Sequence, residues 1–387
     1  MISAYNANTI LREVYLDVLA DQLNYKTNAF YNKIHMGSNY VQGAKIALPV
    51  RFGINGGISC TDENSDLPQP NQDRYIRFGA EMRNIYGVIE MTDKVIRATS
   101  SPDAMVNILN AEMEGLLKAA KFNFSRMLFQ DGKGLLCQVA DLTGAPSNTL
   151  YVDSVKNVVE GMKIDVIRPS DLHKKVTKLS IESVNRVDKS IRVKSLPSNH
   201  EIVEGDHIAI QDSYNYELLG IPYIFREDVP AIYGAVRQNN HYLWPTMKSG
   251  QLSTDLIQET IDNIEETGGM GVDMIICSYD VRRKYFEHLR NTRMNIDYMN
   301  LDGGFKALSY NGIPIVTEKF CPDNTMYFIN TEDYTLQQLS DWSWLETSSG
   351  NILRQIENKA AYTATLVKYA NLMCARPIGQ GRLIVTP

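Results

Sequence analysis

GINGGISCTDENSDLPQPNQD, residues 53–73, is the stretch on which the reading of the fold turns. Its Gly, Asn, Ser, Asp and Pro are residues of turns and irregular chain. A strand is predicted on either side of it. KIALPVRF, 45–52, alternates Ile46, Leu48, Val50 and Phe52 against Lys45, Ala47, Pro49 and Arg51, and RYIRFG, 74–79, follows the loop. Hairpin loops normally hold about two to five residues, so a connection this long inside a compact domain needs a reason. The limbs run from about residue 43 to a tip near Asn64 and back to about Phe78, and if extended each reaches on the order of 50 Å at ~3.3 Å per residue. A compact chain of this size has a radius of gyration of only about 21 Å. An isolated two-stranded hairpin is marginal in water. The stretch therefore predicts a projecting arm steadied by a neighbouring copy, with Gly53, Asn55, Gly56, Gly57, Asp66, Pro68 and Pro70 in the inter-subunit segment.

The rest of the composition narrows the classes. A chain of 387 residues is too long for one small core, and its 44% apolar and 22% charged residues are ordinary globular chemistry. The net charge of -6 argues against a surface built to coat nucleic acid through Lys and Arg. Five widely spaced cysteines, Cys60, Cys137, Cys277, Cys321 and Cys374, contain no CxxC pair, so neither zinc nor a disulfide framework is expected and reduced, cytosolic synthesis fits. Arg12, Glu13, Asp17 and Asp21 interrupt any signal-peptide core, and no run approaches the roughly 20 apolar residues of a membrane helix.

N-terminal to the arm, residues 9–24 place Ile10, Leu11, Val14, Val18 and Leu19 at helical spacing. The opposite face is acidic, where a membrane-surface helix would carry Lys and Arg, so a packing arm is expected, with 25–40 as a loose continuation. Residues 82–98 read as a strand passing into irregular chain. Ser101 as N-cap, Pro102 at the first helical position and Asp103 in the first turn open a helix. Its apolar face, including Ile108, Leu109, Leu116, Leu117 and Phe124, continues to Gln130. That is roughly 29 residues, or about 43 Å in one helix. From 137 to 223 short β runs replace the helical period, predicting a small barrel or sandwich. A mixed α/β segment follows: helix 254–267 closed by Gly268-Gly269, strand 272–277, a helix at 279–290 capped by Ser278, and a hairpin at 305–316 turning on Asn311-Gly312. Residues 326–330, 359–375 and 382–385 are predicted strands.

The search for chemistry finds little. In GGMGVD, 268–273, the helix precedes the strand, the reverse of a phosphate loop, and no helix follows GINGG. Six histidines, His35, His173, His200, His207, His241 and His288, show no i, i+4 pair and no HExxH. There is no GxSxG elbow and no EF-hand pattern. Cys277, between a buried strand and a helix, reads as core. Two basic patches, His173-Lys174-Lys175 with Lys178 and Arg282-Arg283-Lys284, suit a solvated face or contact with an acidic neighbour or nucleic acid. No catalytic, metal or cofactor-binding residue is assigned, and a structural role is favoured.

In this order the parts resemble one family. An N-terminal arm, a long loop with GINGG and a Pro-containing tip, a strand running into a Ser-Pro-initiated helix, a mixed α/β region with VDMIIC and YNGIPIV, and closing strands resemble the major capsid proteins of tailed bacteriophages, whose fold is named after Hong Kong phage ninety-seven. The resemblance implies an α+β fold: an N-arm (1–40), an extended loop (41–80), a peripheral domain with a spine helix (81–136), an inserted all-β domain (137–223), an axial domain (224–354) and return strands (355–387). It implies a non-enzymatic coat subunit of a virion capsid, forming pentamers and hexamers of an icosahedral shell assembled in the host cytoplasm. Scaffolding protein, portal, possible decoration proteins and non-specifically contacted DNA are its implied partners, with no cofactor and no membrane. The isopeptide cross-link of the founding member needs a particular Lys and Asn, and nothing in this sequence fixes such a pair. Three rivals stand beside the coat subunit: an encapsulin nanocompartment shell, which shares the fold, a tail or baseplate protein, and an enzyme with a dispersed site.

Overall fold

A computed structural model describes residues 29–386 apart from 64–65, 70, 95–101, 143–145, 198–200, 239, 292–297, 302–304 and 348–349, with backbone alone at 102–111, 291, 298–301 and 305–307. The chain divides into two compact units, Phe122–Tyr223 forming one and the flanking chain the other.

The flanking unit begins with a short helix, α1 (Ala29–Lys33), and strands β1 (His35–Gly37), β2 (Val41–Gln42), β3 (Lys45–Phe52), β4 (Arg74–Glu81) and β5 (Arg83–Thr92). Helix α2 (Pro102–Leu128) follows as one element of 27 residues. It stops short of Gln130 because the last turn tightens: Phe129 and Gln130 donate their N–H groups three residues back, to Arg126 and Met127. Segment 25–40, expected to be loose, is anchored from residue 29 onward. Phe30 and Tyr31 of α1 are buried, Phe30 meets Tyr334 edge-on at 5.4 Å, and β1 pairs with a later strand.

The second unit contains β6 (Leu135–Gln138), β7 (Thr149–Tyr151), β8 (Lys163–Ile167), β9 (Lys174–Asn185), β10 (Ser190–Val193) and β11 (His207–Ile210). They form one antiparallel sheet in the order β6-β11-β8-β9-β10-β7. A bridge between Val139 and Val152 joins its two ends, with Ala140 N–H donating to Tyr151 and Asp153 N–H to Gln138. The sheet is thus a closed six-stranded barrel. Leu150, Ile164, Val166, Ile191, Val193 and Ile208 fill it, each fully buried, as the inward positions of a small barrel require. β6 starts at Leu135, two residues before the expected boundary, where Gly134 with φ 74° turns the chain into the strand.

Chain after Tyr223 supplies β12 (Ala231–Ile232), β13 (Ala235–Val236), β14 (Thr246–Gln251), helix α3 (Thr254–Gly268), β15 (Met274–Cys277), helix α4 (Tyr279–Asn291), β16 (Tyr298–Leu301), β17 (Phe305–Tyr310), β18 (Ile313–Thr317), β19 (Thr325–Ile329), β20 (Tyr334–Trp344), β21 (Arg354–Gln355), β22 (Ala361–Cys374) and β23 (Gly381–Thr386). A seven-stranded mixed sheet runs β14-β23-β19-β15-β18-β17-β16. Its core joins Ile257, Ile261 and Ile264 of α3 and Val281, Tyr285 and Leu289 of α4 to Ile275, Phe328 and Leu383 of the sheet. Local signals place these elements. Ser253 Oγ accepts Leu256 N–H at the start of α3, Gly269 at φ 73° closes it, and Asn311 and Gly312 both take the left-handed conformation at the β17–β18 turn.

A second sheet in this unit runs β1-β20-β22-β21, with β5 pairing β22 from Arg83↔Ala370 to Thr92↔Ala361. A Cβ on Gly87 of β5 would lie 2.7 Å from Leu116 of α2, so glycine there lets the helix lie close to the sheet.

A candidate assembly surface

β3 and β4 form the root of the arm. Their register sets Ile46 opposite Ala80, Leu48 opposite Phe78 and Val50 opposite Ile76, which puts all six side chains on one face. Ile46, Leu48, Val50 and Phe78 are buried there, while Lys45, Arg51, Arg74 and Arg77 are exposed. The root is tied down at three points. Gly79 N–H donates to Tyr233 O at 2.7 Å, Phe78 stacks near Tyr233 at 5.5 Å, and Phe52 lies 5.9 Å from Tyr242. Arg51 and Asp73 pair at 3.3 Å where the strands end.

Beyond this root the chain leaves its own body. Gly53, φ 74°, ends β3, and a Cβ built there would meet nothing within 4 Å. Asn55 Oδ1 accepts Gly57 N–H at 2.9 Å, a side-chain turn that bends the outgoing limb. At Gly56 and Gly57 the returning limb comes close: added Cβ atoms would lie 3.0 Å from Asn71 Nδ2 and 3.5 Å from Gln69 O. Gly56 and Gly57 therefore let the limbs touch. The loop beyond the root is apolar and acidic at once. Ile54, Ile58 and Leu67 are 85–89% exposed, beside exposed Asp62, Glu63 and Asp66.

The remaining residues singled out from the sequence fall as follows. Pro68 is half-buried, and Pro70 lies outside the described residues, as do Ile10, Leu11, Val14 and Val18. Ile108 and Leu109 lie on α2 at positions where only backbone is described. Leu116 and Leu117 are half-buried, while Phe124 is buried at 2% exposure. Ile58 and Leu67 are not marked by the sequence, because two apolar residues in a polar loop carry no periodic signal.

The basic patch of the barrel is not simply a solvated face. The side chain of Lys175 is buried, its ammonium 2.7 Å from the buried carboxylate of Asp206, and Lys174 bridges Asp165 and Asp212 at 3.1 and 2.5 Å. On α4, Arg282 lies over Tyr279 and Lys284 reaches Asn324. Cys277 is fully buried, and burial pushes its thiol up to about 12, which leaves it protonated and unreactive at neutral pH. Among the described residues no group of three or more His, Cys, Asp or Glu could hold a metal, and no helix is long and apolar enough to cross a membrane.

Comparison with known proteins places this architecture. A chain of the capsid asymmetric unit of cyanophage A-1(L) superposes with a TM-score of 0.53 at 10% identity, covering 92% of this chain and 91% of the other. The fold is that of the tailed-phage major capsid proteins. A chain from the capsid of a native GTA particle gives 0.49 at 10% identity, over 94% and 91% of the two chains. One from an encapsulin complex of Synechococcus elongatus gives 0.45 at 8%, over 91% and 84%. No family model matches the sequence, and neither does any curated protein.

Proposed function

We propose that this chain is a major capsid protein, a non-enzymatic coat subunit whose copies close into a shell around double-stranded DNA. The observation that carries the reading is the arm: a hairpin fixed at its root and displaying three large apolar side chains to solvent, in a chain with a capsid fold. Exposed apolar groups clustered on a projection mark a surface built for a partner. The partner is another copy, so subunits form pentamers and hexamers through many individually modest contacts that sum by multivalency. Residues 1–40 serve as the N-arm, 41–80 as the extended loop, α2 as the spine helix, and 224–354 as the axial domain around the rotation axes. The barrel is the inserted domain. Scaffolding protein, portal, decoration proteins and packaged DNA are the partners that such a shell meets, and assembly takes place in the host cytoplasm.

Electron microscopy of the purified chain, with and without co-expressed phage assembly proteins, tests this. Closed particles of uniform size are expected. A protein that stays monomeric at every concentration overturns the reading, and particles that enclose an enzyme cargo and never DNA point to a nanocompartment instead.

A further inference from the structure

β5 presents ten residues along an edge that no other described strand covers. Other edges are managed in recognisable ways. The barrel is closed, β1 has three residues, β2 two and β16 four, β14 carries Lys248, and β4 has Arg74, Arg77 and the Gly79–Tyr233 bond. β5 has no Pro and pairs with β22 without a register shift.

The direction of its main-chain groups follows from one bond. Asp93 N–H donates to Ala360 O, so the odd-numbered residues of β5 face β22 and the even-numbered ones face away. Met82, whose N–H goes outward to Ala44 O, obeys the same parity. Asn84, Tyr86, Val88 and Glu90 thus turn their N–H and C=O groups to the open edge, and all four side chains are exposed, Tyr86 at 55% and Val88 at 60%.

We propose that this edge pairs with itself, β5 of one copy joining antiparallel to β5 of a second copy about a two-fold axis with Tyr86 opposite Val88. The sequence is self-complementary in that register. Tyr86 and Val88 form an aromatic–β-branched pair twice, Asn84 meets Glu90 twice, and within β5 no like charges face each other. From Asn84 to Glu90 every outward N–H finds a carbonyl, each opposed pair exchanging both of its bonds. An interface in which the same patch serves both copies is the isologous kind. The pairing is a contact of the self-assembling subunit proposed above and rests on that reading.

The test places a thiol at the edge by Val88→Cys in a Cys60→Ser background, the other four cysteines being buried. A short bis-maleimide should link the full-length protein into covalent dimers at assembling concentration. Adding Tyr86→Pro, which removes an outward N–H and leaves the β22 bonds intact, should lower the dimer yield roughly tenfold. Particles whose position 88 stays open to maleimide, with no dimers, overturn the edge pairing and leave the shell reading standing. Dimers without particles do the reverse, and neither dimers nor particles sink both. A thiol at 88 already shielded in the dilute monomer overturns the pairing, since the chain would then cover its own edge.

Discussion

Glu217 grips Arg126 through both carboxylate oxygens, at 2.8 and 2.5 Å, in a site where neither side chain is more than 1% exposed. Arg126 sits in the last turn of α2, and Glu217 lies where the chain leaves the barrel. Gln130 takes part as well, accepting from Arg126 at 2.7 Å and donating to Leu135 O at 2.8 Å.

Breaking this pair from one side should be severe. Glu217→Ala strands a buried guanidinium and should destabilise the Phe122–Tyr223 unit by about 3–5 kcal/mol, read as a fall in its thermal transition. Replacing both partners by Met and Leu should cost far less, because no charge is then left buried. Equal losses in the two variants would show that packing, not charge, governs the site.

Gly220 and Gly115 make opposite predictions. A Cβ on Gly220 would sit 2.5 Å from the carbonyl oxygens of Leu128 and Gln130, so Gly220→Ala should lower stability and soluble yield. Gly115 is exposed within α2 with nothing within 4 Å of an added Cβ. Gly115→Ala should therefore raise the stability of the unassembled subunit by about 0.5–1 kcal/mol in a denaturant titration. On the same helix, Phe124→Ala should cost about 3–5 kcal/mol, and Leu117→Ala, half-buried, about 1 kcal/mol.

Removing residues 54–71 should leave the melting temperature of the subunit almost unchanged, because the excised side chains touch little of their own molecule. Assembly should fail, as seen by electron microscopy. In the free subunit only Cys60 should react with a thiol reagent, and in particles it should be shielded. Normal particles from the deletion variant would refute the role given to the arm.

Alkali should unfold the protein with a definite sign. Burial pushes the phenol of Tyr242 up to about 12 and that of Tyr334 well above its ordinary value. An unfolded tyrosine loses its proton first, so stability is full below pH about 10 and falls as the pH climbs towards the folded values. Lys368 works against this trend: burial lowers its ammonium, so its own titration makes stability rise with pH. Tyr242→Phe should flatten the alkaline fall up to about pH 12 in a plot of unfolding free energy.

What the sequence reveals is what local chemistry decides. The alternation of 45–52, the glycine stop of α3 and the Asn311-Gly312 turn each act within a few residues, and each is found where expected. β20 was not legible, although it is 11 residues long, because irregularities at Gln338/Ser340 and Ser340/Ser343 break its period. Pairs such as Arg126 with Glu217, 91 residues apart, and Lys175 with Asp206, 31 apart, leave no trace in composition. The anchoring of α1 through Phe30 is equally non-local, since its partner Tyr334 lies on a strand that the sequence hides.

Closure of the barrel has a practical consequence. A ring of strands that satisfies its own main chain fixes its register without help from the loops, so a loop can change without unravelling the ring. The β9–β10 turn, with Val187 90% exposed and Asn185 Oδ1 holding the backbone of Val187 and Asp188, is such a place. A foreign peptide spliced into that turn would ride on every copy of the subunit, making the particle a carrier for repetitive display.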